Sequence, residues 1–189
     1  MPFNLPNALT WLRIIMIPLF VGVFYFPPSS LSLSGQNLAA TVIFTAAALT
    51  DWLDGYLARK LDQQSAFGEF LDPVADKLMV AAALIVLVEL GRLNALIAVI
   101  IIGREITISA LREWMAKLGA AKSVAVSFLG KLKTVSQMIA IPMLLYHDAI
   151  GVFLPQEWGS WLIYLAAGLT LLSMFYYLKM AMPIVLKQS

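Results

Sequence analysis

Six apolar stretches, each near the length that crosses a membrane as a helix, constrain this chain more than any other feature. A transmembrane helix needs about 20 predominantly apolar residues, and polar residues or Pro and Gly separate these stretches. They cover residues 8–26, residues from about 37 to 60, a third stretch that includes 76–90, residues 93–116, a fifth within 124–146, and residues 158–181. We therefore predict an all-α integral membrane protein with six transmembrane helices.

The composition excludes several other classes of protein. Hydrophobic residues make up 61% of the 189 residues and charged residues 13%, which is far from the balance of a soluble domain. The absence of cysteine excludes disulfides and zinc–thiolate sites, and the net charge of +2 gives no reason to expect nucleic acid. No linker or repeat divides the chain, so we predict one transmembrane domain over residues 1–189 that carries any active site.

The basic residues predict the orientation in the membrane. All of the 13 Lys and Arg residues except Arg92 fall on one side of the predicted helices. The positive-inside rule therefore places both termini and the charged segments in the cytoplasm. The first stretch is expected to be a spanning helix rather than a signal peptide, because no basic start or A-x-A-like cleavage site flanks it.

The segment "TDWLDGYLARKLDQQSAFGEFLDPVADKLMV" concentrates carboxylates in an otherwise apolar chain. Asp51 and Asp54 are three residues apart and Asp72 and Asp76 four apart, so each pair shares one helix face. Four facing carboxylates repel one another unless cations lie between them. Oxygen ligands favour Mg²⁺ or Mn²⁺, and magnesium usually keeps positions for water or phosphate. We predict one or two such ions and a ligand that carries phosphate.

Small residues and an arginine accompany the aspartates. Gly55, Ala58 and Gly68 leave room for a ligand close to the backbone, and Arg59 can donate several hydrogen bonds to phosphate oxygens.

Two other interpretations of the aspartates stay open. The carboxylates could be solvated interfacial charges that cap helices, with Asp72 as an N-cap and Pro73 either in the first turn of the third helix or kinking it. Acidic residues in membrane helices also mark cation channels and transporters. A transport path should place polar groups near the midplane, whereas these charges gather at one interface.

The spacing Asp51-x2-Asp54-Gly55-x2-Ala58-Arg59-x8-Gly68-x3-Asp72-x3-Asp76 resembles the signature of the CDP-alcohol phosphotransferase family at all eight specified positions. The resemblance implies six transmembrane helices, a homodimer and an active site at the cytoplasmic membrane surface. It also implies that all four aspartates bind metal, that Asp76 is the general base, and that Gly55, Ala58 and Arg59 border the CDP group.

The flanking stretches "NLPNALTWLRIIMIP", "GREITISALREWMAKLG" and "GKLKTVSQM" resemble the bacterial branch that transfers the phosphatidyl group of CDP-diacylglycerol to sn-glycerol 3-phosphate. That likeness implies a multi-pass protein of the bacterial cytoplasmic membrane. It places Asn7, Thr10 and Arg13 beside the nucleotide or the substrate phosphates, although Asn7 could instead cap the first helix. Relatives use inositol phosphate, serine or another lipid as acceptor, and no spacing rule separates these alternatives.

An acceptor with its own phosphate requires a second anion site on the cytoplasmic side. We predict that this site consists of four basic residues, Arg104, Arg112, Lys131 and Lys133. Glu105 and Glu113 are expected either to orient the arginines or to be surface partners. Lys131 and Lys133 point about 160° apart on a helix, so both can serve only if the helix begins near them. The alternative is that these side chains extend to anionic lipid headgroups.

Overall fold

The computed structural model describes residues 5–61, 66–119 and 128–185. Its described part contains six α-helices, and a short 3₁₀-helix (Val23–Tyr25) extends the first of them. The α-helices are α1 (Leu5–Gly22), α2 (Leu33–Leu61), α3 (Ala66–Glu89), α4 (Ala95–Lys117), α5 (Phe128–Tyr146) and α6 (Pro155–Val185). An all-helical fold follows from apolar segments that must satisfy their backbone hydrogen bonds internally.

Two helix boundaries differ from the sequence prediction in a way that affects the site. Helix α2 begins at Leu33 rather than near residue 37, and α3 begins at Ala66 and continues through Pro73. Asp72 is therefore inside α3 and does not cap it, and Pro73 lies beyond the first turn. Proline removes one backbone donor without ending the helix here.

Among the described residues, four helices are long and apolar enough to cross a membrane. The candidate spans are Ala8–Tyr25, Leu33–Asp51, Phe128–Tyr146 and Pro155–Pro183. Large apolar side chains such as Ile15 and Leu19 are 55% and 58% exposed, as expected for a surface that faces lipid. Helices α3 and α4 carry more charge than these four.

The helices pack into a bundle around one main core. Helix α1 contacts α2 and α3, α2 contacts α5, and α6 contacts α4 and α5. Gly159 of α6 lies so close to α5 that an added Cβ would meet Leu144 Cγ at 3.0 Å and Met143 Cβ at 3.1 Å. A smaller cluster between α4 and α6 contains Ile108, Met115, Tyr177 and Ala181. Helix α6 therefore contributes residues to both hydrophobic cores.

Arg92 joins several helix ends at one end of the bundle. Its guanidinium donates to the carbonyl oxygens of Leu144 (3.2 Å) and Leu145 (2.7 Å), and to Asn37 Oδ1 (2.8 Å). The carbonyls at the end of a helix have no intrahelical donor, so Arg92 satisfies the end of α5 and ties it to the start of α2. Asp51, almost four turns after Asn37 on α2, lies towards the opposite end of the bundle.

Candidate functional site

Helix α1 contacts one aspartate on each of its two neighbours. Thr10 Oγ1 donates to Asp72 Oδ1 at 2.5 Å, and Arg13 NH1 donates to Asp51 Oδ1 at 2.5 Å. Thr10 and Arg13 are three residues apart and share a helix face, and each is 1% exposed. Two buried donors of α1 therefore fix the carboxylates of α2 and α3 relative to each other.

Asp76 lies beside this pair, one turn after Asp72. It lines a small cavity together with Arg13, and the charged groups that act on it are Asp51, Arg13, Lys77 and Lys133. Three of the four predicted aspartates are thus brought to one place, where they meet cations from α1, α3 and α5.

Several predicted site residues fall outside the side chains that the structure describes. They are Asn7, Asp54, Gly55, Ala58 and Arg59, whose backbone is helical. Gly68, in contrast, is buried on α3.

Glu105 of α4 connects two of the predicted acceptor-site residues. Lys133 Nζ donates to Glu105 Oε1, and Arg104 NH1 approaches the same oxygen at 3.4 Å. Lys133 and Arg104 are 3% and 6% exposed. The charges that act on Lys133 include Arg104 and Asp76, so this basic cluster adjoins the aspartates.

The two arginines of α4 are also held by α6. Arg104 NH2 donates to Ser173 Oγ at 3.1 Å, and Arg112 NH2 donates to the Tyr177 hydroxyl at 3.1 Å. The Tyr177 ring lies near both guanidinium carbons, at 5.6 Å from that of Arg104 and 5.1 Å from that of Arg112. The structure therefore brings Arg104, Arg112 and Lys133 to one region.

Lys131 and Glu113 do not join the cluster. Lys131 is exposed, whereas Lys133 is buried, as the angle of about 160° between them on a helix requires. Glu113 bonds Lys117 at 3.0 Å, and both side chains are 71% exposed. Of the two alternatives for Glu113, the structure favours the surface partner, because Glu113 pairs with the exposed Lys117 one turn away.

A further polar bond joins α3 to α4 beside the site. Lys77 Nζ donates to Ser109 Oγ at 2.5 Å. The α1 donors bond to α2 and α3, Lys77 of α3 bonds to α4, and α4 bonds to α5 and α6. All six helices therefore contribute to one polar region near the same end of the bundle.

Sequence reasoning missed the partners that hold the site together. It did not assign Ser173 and Tyr177, nor did it pair Arg13 with Asp51. A signal was present in α6, where Thr170, Ser173 and Tyr177 follow one another at i, i+3 and i+7 on an apolar helix. All three are fully buried.

The donor chemistry of the aspartate group fits a hard divalent cation. Its oxygens come from carboxylates, with no cysteine in the chain, and the Thr10 and Arg13 bonds each engage one oxygen of a carboxylate. Among the side chains that the structure describes, no group of three or more acidic, His or Cys residues could by itself hold a metal. Asp54, the fourth predicted ligand, lies outside that set.

Comparison with known proteins gives a consistent result over the whole chain. The family model described as CDP-alcohol phosphatidyltransferase matches residues 3–172. A protein of Escherichia coli strain K12, named CDP-diacylglycerol–glycerol-3-phosphate 3-phosphatidyltransferase, is 48% identical over 190 residues and covers 100% of both chains. Proteins of the same name from Shigella flexneri serotype 5b and Shigella sonnei match at the same identity and coverage.

Proposed function

Because the chain belongs to the CDP-alcohol phosphatidyltransferase family, we propose that it transfers the phosphatidyl group of CDP-diacylglycerol to sn-glycerol 3-phosphate. The products are phosphatidylglycerophosphate and CMP, and the process served is phospholipid biosynthesis. The observation that carries this assignment is the 48% identity, over the full length of both chains, to proteins named for that reaction. The basic cluster next to the aspartates supports an acceptor that carries its own phosphate.

The aspartates are the proposed metal ligands. Asp51, Asp54, Asp72 and Asp76 would hold Mg²⁺ or Mn²⁺, with two ions in the full site. Bound there, the ions would neutralise phosphate charge during the transfer. Arg13 and Thr10 hold Asp51 and Asp72 in place, so the carboxylates need little rearrangement when a charged ligand arrives.

Asp76 is the proposed general base. It accepts the proton of the acceptor's 1-hydroxyl as the hydroxyl oxygen attacks the β-phosphorus of CDP-diacylglycerol. A new oxygen–phosphorus bond forms, the bond between that phosphorus and the CMP oxygen breaks, and CMP leaves with the bonding electrons. Positioning and charge stabilisation account for most of the catalysis in phosphoryl transfer. The proximity of Asp76 to Lys133 supports a base placed next to the acceptor.

The basic cluster is the proposed glycerol-phosphate site. Arg104 and Lys133 present buried cations and Arg112 a half-buried one, and together they can hold a phosphate dianion. A phosphate held by Lys133 would keep the attached glycerol near Asp76. Glu105 orders Lys133 and Arg104 before the acceptor binds.

The remaining proposed contacts belong to CDP-diacylglycerol. Asn7 and Thr10 on α1, Gly55, Ala58 and Arg59 on α2, and Gly68 on α3 would border its CDP group. The buried position of Gly68 one turn before Asp72 supports a close approach of ligand and backbone.

We also propose that all six helices span the bacterial cytoplasmic membrane as one domain, with both termini and the active site on the cytoplasmic side. Helices α3 and α4 contain 24 and 23 residues, enough to cross a core about 30 Å thick at about 1.5 Å per residue. The family resemblance implies a homodimer, which light scattering of the detergent-solubilised protein tests.

The first experiment is CMP release by the purified protein in detergent. CDP-diacylglycerol and Mg²⁺ or Mn²⁺ are supplied, and each candidate acceptor is added in a separate reaction. Release that requires both glycerol 3-phosphate and metal supports the proposal. Release with another acceptor keeps the aspartate chemistry and refutes the assignment of the basic cluster. If the folded protein releases no CMP with any acceptor, the result refutes the proposed transferase activity and favours cation transport.

A further inference from the structure

Tyr177 is a fully buried residue of α6 that the proposed chemistry does not use. Its side chain is 0% exposed and belongs to the small core between α4 and α6. Its hydroxyl accepts a hydrogen bond from Arg112 NH2 at 3.1 Å. Its ring centroid lies 5.6 Å from the Arg104 guanidinium carbon and 5.1 Å from that of Arg112. One aromatic ring therefore contacts both arginines of the basic cluster.

Two guanidinium groups near one another repel, and burial increases that repulsion. The face of an aromatic ring attracts a cation within about 6 Å of its centroid, so the Tyr177 ring lowers the cost of placing Arg104 and Arg112 around it. Ser173, one turn earlier on α6, accepts from Arg104 NH2 at 3.1 Å and is also 0% exposed. Helix α6 thus supplies a separate oxygen to each arginine.

We propose that Tyr177, assisted by Ser173, is the positioning residue of the acceptor-phosphate site. It acts through Arg104 and Arg112, which it holds together as a preformed pair of cations for a phosphate dianion. This inference rests on the proposed function, because the phosphate belongs to the acceptor. A fixed arginine pair binds phosphate more tightly than a mobile pair, since less side-chain freedom is lost on binding.

A positioning role predicts a selective kinetic effect. A hydrogen bond to a charged group contributes a free energy that corresponds to about a 10-fold change in binding affinity. Tyr177→Phe, which keeps the ring and removes the hydroxyl, should therefore raise the KM for glycerol 3-phosphate about 10-fold. The KM for CDP-diacylglycerol and kcat should stay within about twofold, because neither depends on acceptor affinity when the acceptor is saturating.

The experiment measures CMP release against acceptor concentration for wild type, Tyr177→Phe and Tyr176→Phe. Tyr176 is the matched control, since it neighbours Tyr177 and is 46% exposed. Calorimetric titration of glycerol 3-phosphate gives a readout independent of turnover and should show the same loss of affinity. In an Arg112→Gln background, Tyr177→Phe should add no further increase in KM, because its hydroxyl acts through that arginine.

The outcomes separate the inference from the function on which it rests. If the wild type shows no CMP release that depends on glycerol 3-phosphate, both the proposed function and the inference are overturned. An active wild type with an unchanged acceptor KM in Tyr177→Phe, or an equal rise in Tyr176→Phe, overturns the inference alone. If Tyr177→Phe does not fold, Ser173→Ala decides the question, because the same selective rise in acceptor KM is expected when Arg104 loses its oxygen partner on α6, and an unchanged KM overturns the inference.

Discussion

Replacing Thr10 by Val tests whether α1 sets the geometry of the aspartates. The Thr10 hydroxyl donates to Asp72 Oδ1 at 2.5 Å from a position that is 1% exposed. The acceptor is a carboxylate, and hydrogen bonds to a charged acceptor are stronger than neutral ones. Valine fills nearly the same space and cannot donate, so the variant removes the bond while it preserves the packing of α1 on α3.

The expected size of the effect follows from the exposure of the two partners. Hydrogen bonds to charged groups contribute about 1.5–3 kcal/mol. Asp72 is only half-buried, so water can partly replace the lost donor and the lower end applies. A loss of about 1.5 kcal/mol corresponds to about a 10-fold fall in kcat/KM or in apparent metal affinity.

The assay is CMP release at saturating lipid and acceptor over a range of Mn²⁺ concentrations. Thr10→Ser is the matched control, because it keeps the hydroxyl and should recover most of the activity. Melting temperatures in detergent should agree among the three proteins. A Thr10→Val enzyme that requires no more Mn²⁺ than wild type, at equal turnover, would refute the proposed role of α1.

Three other substitutions test separate parts of the account. Asp76→Asn should abolish CMP release without changing the melting temperature, because the amide cannot take the hydroxyl proton; near-normal turnover contradicts the assignment of the base. Lys133→Gln should raise the KM for glycerol 3-phosphate far more than Lys131→Gln, since only Lys133 is buried beside Glu105. Equal effects of the two contradict the site as the structure describes it. Gly159→Val should destabilise the protein by about 1–3 kcal/mol through overpacking against α5, as measured by thermal unfolding in detergent. Gly168→Ala, where an added Cβ meets nothing within 4 Å, is its control, and a similar loss there argues against the packing explanation.

The sequence predicted the helical segments more reliably than their ends. Long apolar runs identify helices because each run must satisfy its own backbone in the membrane. The start of α2 at Leu33 was missed since the polar residues before Asn37 look like a loop. The interior position of Pro73 was one of two alternatives that the sequence left open, because a proline can lie in the first turn of a helix or kink its interior.

For the candidate site as well, the sequence predicted what depends on local spacing and not what depends on helix packing. Asp51, Asp54, Asp72 and Asp76 could be recognised from their spacing, which is a local property of two successive helices. The separation of Lys131 from Lys133 also follows from the angle between residues two apart. Spacing could not decide which of the two faces the bundle, since that depends on how α5 is rotated against α4 and α6.

By itself, the sequence predicted that the chain is helical, apolar enough for a membrane and charged mainly at one end, and it placed two pairs of aspartates at helical spacing. The tertiary structure alone decided that Thr10 and Arg13 of α1 hold those aspartates, and that Ser173 and Tyr177 of α6 hold the arginines of α4. These partners are 38 to 69 residues apart in the chain. Periodicity assigns a residue to a face of its own helix, but only the packing of helices determines which faces meet.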